Sequence, residues 1–128
     1  MTDIRLRLPA HVLIGFGLIC AATALPVFTP VLTVFLDLAF FPVDGAPGAA
    51  DPAHRFLAGI LGGITTGWGV SLLAIAQGRS LRHAIIAGGA AWFVVDSTAS
   101  ALSGAPMNAV YNLGFLAVFL LPLTVRER

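Results

Sequence analysis

The chain contains no lysine, a single cysteine and a single tyrosine, and only 10% of its residues are charged. Each scarcity excludes something. Without lysine, all seven basic residues are arginine, and a formal charge of +1 leaves no basic tract of the kind that binds nucleic acid. One cysteine, Cys20, rules out an internal disulfide and any site built from several thiolates. Cys20 is read as a small apolar packing residue rather than a redox thiol. The shortage of charge is the most informative absence. A water-soluble domain carries about a quarter charged residues because a small body has more surface than core. Here 58% of 128 residues are apolar and the mean hydropathy is +0.94, so lipid takes the place of water as the main solvent.

Chemistry motifs are missing as well. There is no phosphate loop, no HExxH, no nucleophile elbow, and no serine or cysteine with an evident base. Gly15-Phe16-Gly17 is not a dinucleotide fingerprint, since it lies inside an apolar run with no strand before it. His11, His54 and His83 are too far apart, on different segments and at different depths, to make a metal or haem site, so no metal is expected.

What is present is a series of long apolar runs. Crossing a bilayer takes about 20 apolar residues in helix, with about 17 as the practical minimum. Four segments meet this: about 10–27, 53–76, 81–102 and 107–125. Pro9, Pro26 and Pro30 bracket the first, Asp51 and Pro52 cap the second, Gly104 and Pro106 close the third, and Pro122 bends the end of the fourth. Arg5 and Arg7 ahead of an apolar run that reaches Ala22-Thr23-Ala24 also have the form of a signal peptide. The apolar character continues beyond that point, and Ile19 is too large to precede a lipoprotein cysteine, so a retained span is the better reading. Residues 31–41 are about half the length needed to cross. They are read as an interfacial helix on the outer surface with Thr33 and Asp37 on its wet face, and alternatively as a continuation of the first helix past a proline kink.

The expected architecture is therefore all-α: a single integral membrane domain, a four-helix bundle with a short outer interfacial helix between spans one and two. Arg5, Arg7, Arg79, Arg82, Arg126 and Arg128 all fall on one side of such a bundle, while Asp37, Asp44 and Asp51 share the other with Arg55 alone. The positive-inside rule then puts both termini in the cytoplasm of a bacterial inner membrane.

Helices associate in lipid through close backbone approach and interhelical hydrogen bonds. Gly59, Gly63 and Gly67 repeat every fourth residue and strip one face of the second span. Gly88, with Ala84, Ala87 and Ala91, offers a matching surface on the third, and Gly17 and Ala21 do so on the first. The stripe serves either packing within the chain or a contact with another protein or a second copy.

Asp96 is the acidic residue inside a predicted span, about 10 Å from its outer end. A carboxylate there must pair, take up a proton or face a polar cavity. Ser97, Ser100, Asn108 and Asn112 reach the same depth, and His54 and Arg55 open the second span on the same side. One reading is a ligand or proton site, with Asp96 as the binding group, Arg55 as its counter-ion and Asn108, Tyr111 and Asn112 as orienting donors. The other is a structural clamp built on an Arg55–Asp96 ion pair. Trp68 and Trp92, inside spans rather than at their ends, are read as packing residues that line a cavity.

An arginine opening a glycine-rich second span (RFLAGILGGITTGWG), a polar third span (WFVVDSTAS) and a short outer helix (LTVFLDLAF) together resemble the small DoxX-like bacterial membrane proteins. That resemblance implies a quinone- or lipid-associated redox helper. Three functions are compatible with the sequence. The foremost is a non-enzymatic accessory or assembly subunit of a larger membrane complex, in contact with lipid and with a protein partner or a second copy. Next comes the redox helper holding quinone or lipid near Asp96, and last a small transporter, whose usual acidic residue in the first span is missing here.

Overall fold

The computed structural model describes residues 3–39, 45 and 50–124, and among them the fold is helical with no strand. Five α-helices follow in order: α1 Arg7–Ala22, α2 Thr29–Ala39, α3 Pro52–Ala76, α4 Leu81–Leu102 and α5 Pro106–Thr124, with short 3-10 turns at Ile4–Leu6 and Pro26–Phe28. Four segments are long and apolar enough to cross a membrane, namely Ile4–Ala22, Pro52–Ala76, Leu81–Leu102 and Pro106–Leu123.

The helix ends follow from local chemistry. The Asp51 carboxylate accepts the His54 backbone N–H at 2.9 Å and Pro52 occupies the first turn, where its missing N–H costs nothing. Ser80 Oγ accepts the His83 N–H at 3.2 Å to start α4. Gly78 and Gly104, at φ +76° and +91°, turn the chain after α3 and α4 in the left-handed region that suits glycine. The first helix differs from expectation: it begins at Arg7 and stops at Ala22 instead of running from 10 through Val27. Leu25 is held extended by the proline that follows it, and the Thr23 hydroxyl donates to the Cys20 carbonyl at 2.6 Å, closing the last turn.

The alternative in which α2 continues α1 is corrected by one contact. Phe16 and Phe35 pack edge to face with ring centroids 6.0 Å apart. On a continuous helix they would be separated by roughly 28 Å. The chain therefore turns back after Pro26 far enough to bring Phe35 of α2 onto Phe16 of α1.

Among the long helices α3 is central, packed on α1 by one face and on α4 by another. Two sets of small residues make this possible. A Cβ on Gly63 would lie 2.5 Å from the Cβ of Asp96, and one on Gly67 would lie 2.7 Å from the Gly88 carbonyl oxygen. Gly59 likewise meets Ala99 at 3.0 Å. About 100° round the same helix, Gly62 abuts Ala21 and Gly17, and Gly69 meets Ala10 and Ile14. Ser71 Oγ adds an interhelical hydrogen bond to the Ala84 carbonyl at 3.0 Å. The Gly59, Gly63, Gly67 stripe is thus consumed inside the chain.

α5 packs chiefly on α4, without closing onto α1 or α3. The four long helices follow one another in an open row, α1, α3, α4, α5. The Asp3 N–H donates to the Ala76 carbonyl at 3.1 Å, which ties the start of the chain to the end of α3. Arg5, Arg7, Arg79 and Arg82 consequently share one end of the molecule, and Asp51 and Arg55 lie at the other. Arg126, Arg128 and Asp44 lie outside the described residues.

Candidate functional site

Asp96 is 2% exposed, pressed against Gly63 where α3 and α4 touch. Three donors converge on its carboxylate. Trp92 Nε1–H reaches Oδ2 at 3.0 Å, while Ser100 Oγ–H at 3.0 Å and Asn108 Nδ2–H at 2.9 Å both reach Oδ1. Trp92, Asp96 and Ser100 stand four residues apart, so a single face of α4 carries all three. Asn108 comes from the first turn of α5, brought back by the short turn at Gly104. Its second N–H reaches Ser100 Oγ at 2.9 Å. One turn further along, Asn112 is buried and its amide donates to Ser97 Oγ at 3.2 Å.

In this network the acid's oxygens act as acceptors. Indole and amide N–H groups can only donate, and the serine hydroxyl completes a set of donors aimed at an acceptor-only group. Buried polar groups in lipid need such partners. The cluster fastens α5 to α4, which otherwise touch through apolar side chains.

Two expected members are absent from the cluster. Arg55 makes no ion pair with Asp96. It sits two turns before Gly63 on α3, about 12 Å further toward the outer end, beyond the reach of its side chain. Its Nη1 donates weakly to the Ala50 carbonyl at 3.5 Å, and its Nε is buried without a partner. The ion pair among the described residues is His54 with Asp51, at 2.8 Å. Tyr111 is 61% exposed, because the inward line of α5 runs through Asn108 and Asn112 and position 111 is turned about 100° away. Ser100, Asn108 and Asn112 do come together around Asp96 and Ser97. Trp92 was expected only as packing and proves to be a donor to the acid. Its four-residue spacing from Asp96 was the available signal.

Beside the cluster lies a groove of about 610 Å³, floored by α4 and walled by α3 and α5. It exists because both walls lean on α4 without meeting. Ile64 and Trp68 line one wall, Phe115 and Phe119 the other, and Gly88, Gly89 and Trp92 the floor. Trp92 and Phe119 pack edge to face at 6.1 Å. Asp96, Asn108 and Asn112, with Ser71 on the α3 wall, form the polar part of the lining. Trp68 and Phe119 are more than half exposed, so the groove opens sideways, toward the acyl chains of a surrounding bilayer. Among the described residues no group of three or more His, Cys, Asp or Glu side chains could hold a metal ion.

Four apolar helices of spanning length, with an acid and two amides sunk beside a lateral apolar groove, define a multi-pass membrane protein with a built polar site. Comparison with protein-family models, with curated proteins and with solved structures finds no match.

Proposed function

We propose that this chain is a non-enzymatic membrane protein that holds an amphiphile of the bilayer, of the lipid or quinone class, in the groove between α3 and α5. The observation that carries this reading is the groove itself: its volume lies within the range of ligand sites, and it pairs aromatic and aliphatic walls with a few convergent polar groups. Its lateral opening supports entry from the membrane. Gly89 gives a direct test, because a Cβ there would meet only Leu116, at 3.9 Å, and otherwise open space. A Gly89→Leu side chain, leaving the backbone where its Cβ has room, would project into the groove floor. Native mass spectrometry of protein released from its own membrane should find a 1:1 amphiphile on the wild type and lose it from Gly89→Leu. Wild type and variant equally bare would refute the reading.

The accessory-subunit reading has one specific support. α5 is apolar and exposed around most of its circumference, with Val110, Leu113, Val118 and Leu121 each more than half exposed. Those side chains equally suit plain lipid, and the glycine stripe that first suggested a partner is occupied within the chain. Gentle extraction followed by native electrophoresis separates the two: a chain that migrates alone removes the accessory-subunit reading. The DoxX-like resemblance rests on layout alone, and the missing acid in α1 still ranks a transporter last.

The same proposal places the protein in a bacterial inner membrane with both termini in the cytoplasm. Its support is the gathering of Arg5, Arg7, Arg79 and Arg82 at one end of the molecule. On a Cys20→Ala background, Ser80→Cys should be blocked by a membrane-impermeant maleimide only after the cells are opened.

A further inference from the structure

Building on the groove reading, we infer that the occupant is an organic cation, with its positive head beside Asp96 and its apolar body between the aromatic walls. The argument is one of complementarity. The donors that touch the acid are engaged, the Trp92 indole N–H and the Ser100 hydroxyl on Asp96 and the two Asn108 amide hydrogens on Asp96 and on Ser100, and of the lining amides only Asn112 keeps one hydrogen beyond its bond to Ser97. A head group made of carbonyl oxygens, such as a quinone, needs donors and finds those on the acid turned away from it. What the polar lining still offers is chiefly acceptor capacity and negative charge. An ionised carboxylate accepts about four hydrogen bonds, and Asp96 takes three, only one of them on Oδ2.

Charge balance points the same way. Three neutral dipoles stabilise the Asp96 carboxylate, but no cationic side chain among the described residues pairs with it, and Arg55 lies beyond reach. A carboxylate at membrane depth without a counter-charge is a costly feature that a cation would complete. The walls suit the same guest. Trp68, Trp92, Phe115 and Phe119 line the groove that holds the acid, and indole and phenyl faces attract cations through their quadrupoles. Gly89 keeps the floor low enough for a bulky body.

The test uses the whole chain in phosphatidylcholine nanodiscs, with protein-free nanodiscs subtracted, and equilibrium dialysis of three probes: tetraphenylphosphonium, its neutral relative triphenylphosphine oxide, and decylubiquinone. The expected result is saturable binding of tetraphenylphosphonium, at least tenfold tighter than the neutral probe, weakened at least tenfold by Asp96→Asn and abolished by Gly89→Leu. Equal affinity for the charged and neutral probes overturns the inference, as does cation binding that Asp96→Asn leaves unchanged. Should Asp96→Asn fail to fold, the preference between probes in the wild type and its loss in Gly89→Leu still decide the matter. Decylubiquinone binding that Gly89→Leu abolishes, with none of the cation, overturns the cation while leaving the groove reading intact. No binding by any probe overturns the cation, and the groove reading then falls if native mass spectrometry also finds the wild type bare.

Discussion

The contact between Gly63 and Asp96 holds the centre of the molecule, and adding one methyl group there tests how it is held. In Gly63→Ala the new Cβ would stand 2.5 Å from the Asp96 Cβ and 2.9 Å from its Cα and backbone nitrogen. Carbon atoms sit comfortably at about 3.5–4.0 Å, so α3 and α4 must part by roughly 1 Å. Nothing flexible lies at the contact to absorb the shift, since the atoms struck are the α4 backbone and the Asp96 Cβ fixed to it. Parting the helices also stretches the Ser71–Ala84 hydrogen bond from its 3.0 Å toward the limit of useful length. Overpacking of this kind costs about 1–3 kcal/mol. Taking about 2 kcal/mol, the ratio of folded to unfolded protein falls by roughly thirtyfold. Gly15→Ala is the matched control, because a Cβ there meets nothing within 4 Å. Reversible unfolding in mixed micelles with increasing dodecyl sulfate, followed by the fluorescence of Trp68 and Trp92, reads both variants against the wild type. If Gly63→Ala proved as stable as Gly15→Ala, the claim that the glycine stripe is an internal backbone contact would be refuted.

Arg55→Gln should leave thermal stability in detergent unchanged or slightly raised, because the arginine pairs with no carboxylate among the described residues and its Nε lacks a partner there. A large loss would restore the Arg55–Asp96 clamp. Trp92→Phe keeps most of the ring contact but removes the Nε1–H donor to Asp96, and should cost about 1.5 kcal/mol, the lower end for a bond to a charged group, in the same unfolding assay. Hydrogen bonds from the His54 backbone amide, and then from its ring, hold the Asp51 carboxylate below its ordinary value. The folded group is thus the stronger acid. Its capping contribution is present above the unfolded value and is lost as pH falls through the folded one. Amide exchange at His54 should therefore accelerate in acid, and exchange that is flat with pH would contradict the cap.

The helices themselves were legible in the sequence because each carries its own signals. Asp51-Pro52 and Ser80 announce the starts of α3 and α4, and Gly78 and Gly104 announce their ends, all through short-range chemistry. Part of the site was equally plain: Asp96, Ser100, Asn108 and Asn112 lie at matched depths on neighbouring helices joined by a short turn. Arg55 was misplaced because being on the same side of the membrane was taken as proximity. Two turns of helix separate it from the level of the acid, a distance that only the α3–α4 register reveals. Tyr111 failed for a rotational reason, standing one position off the inward line that Asn108 and Asn112 define. The stop of α1 at Ala22 and the turn that brings α2 back to it depend on Thr23, Pro26 and the Phe16–Phe35 contact, and the last of these joins residues from different helices.

The sequence by itself determined that this is a chain for lipid, with four helices long and apolar enough to cross, because hydropathy and helix length depend only on consecutive residues and the fixed rise of a helix. It also determined that α3 would be approached closely, since a face without side chains admits a neighbouring backbone whichever helix that is. The tertiary structure alone decided that α3 bears two such faces in use at once, that α5 rests on α4 without closing the row, and that a groove opens beside a carboxylate whose donors come from α4 and α5. Those facts turn on angles and registers between helices, which are set by the sum of many small contacts across the chain and leave no local mark on any one segment.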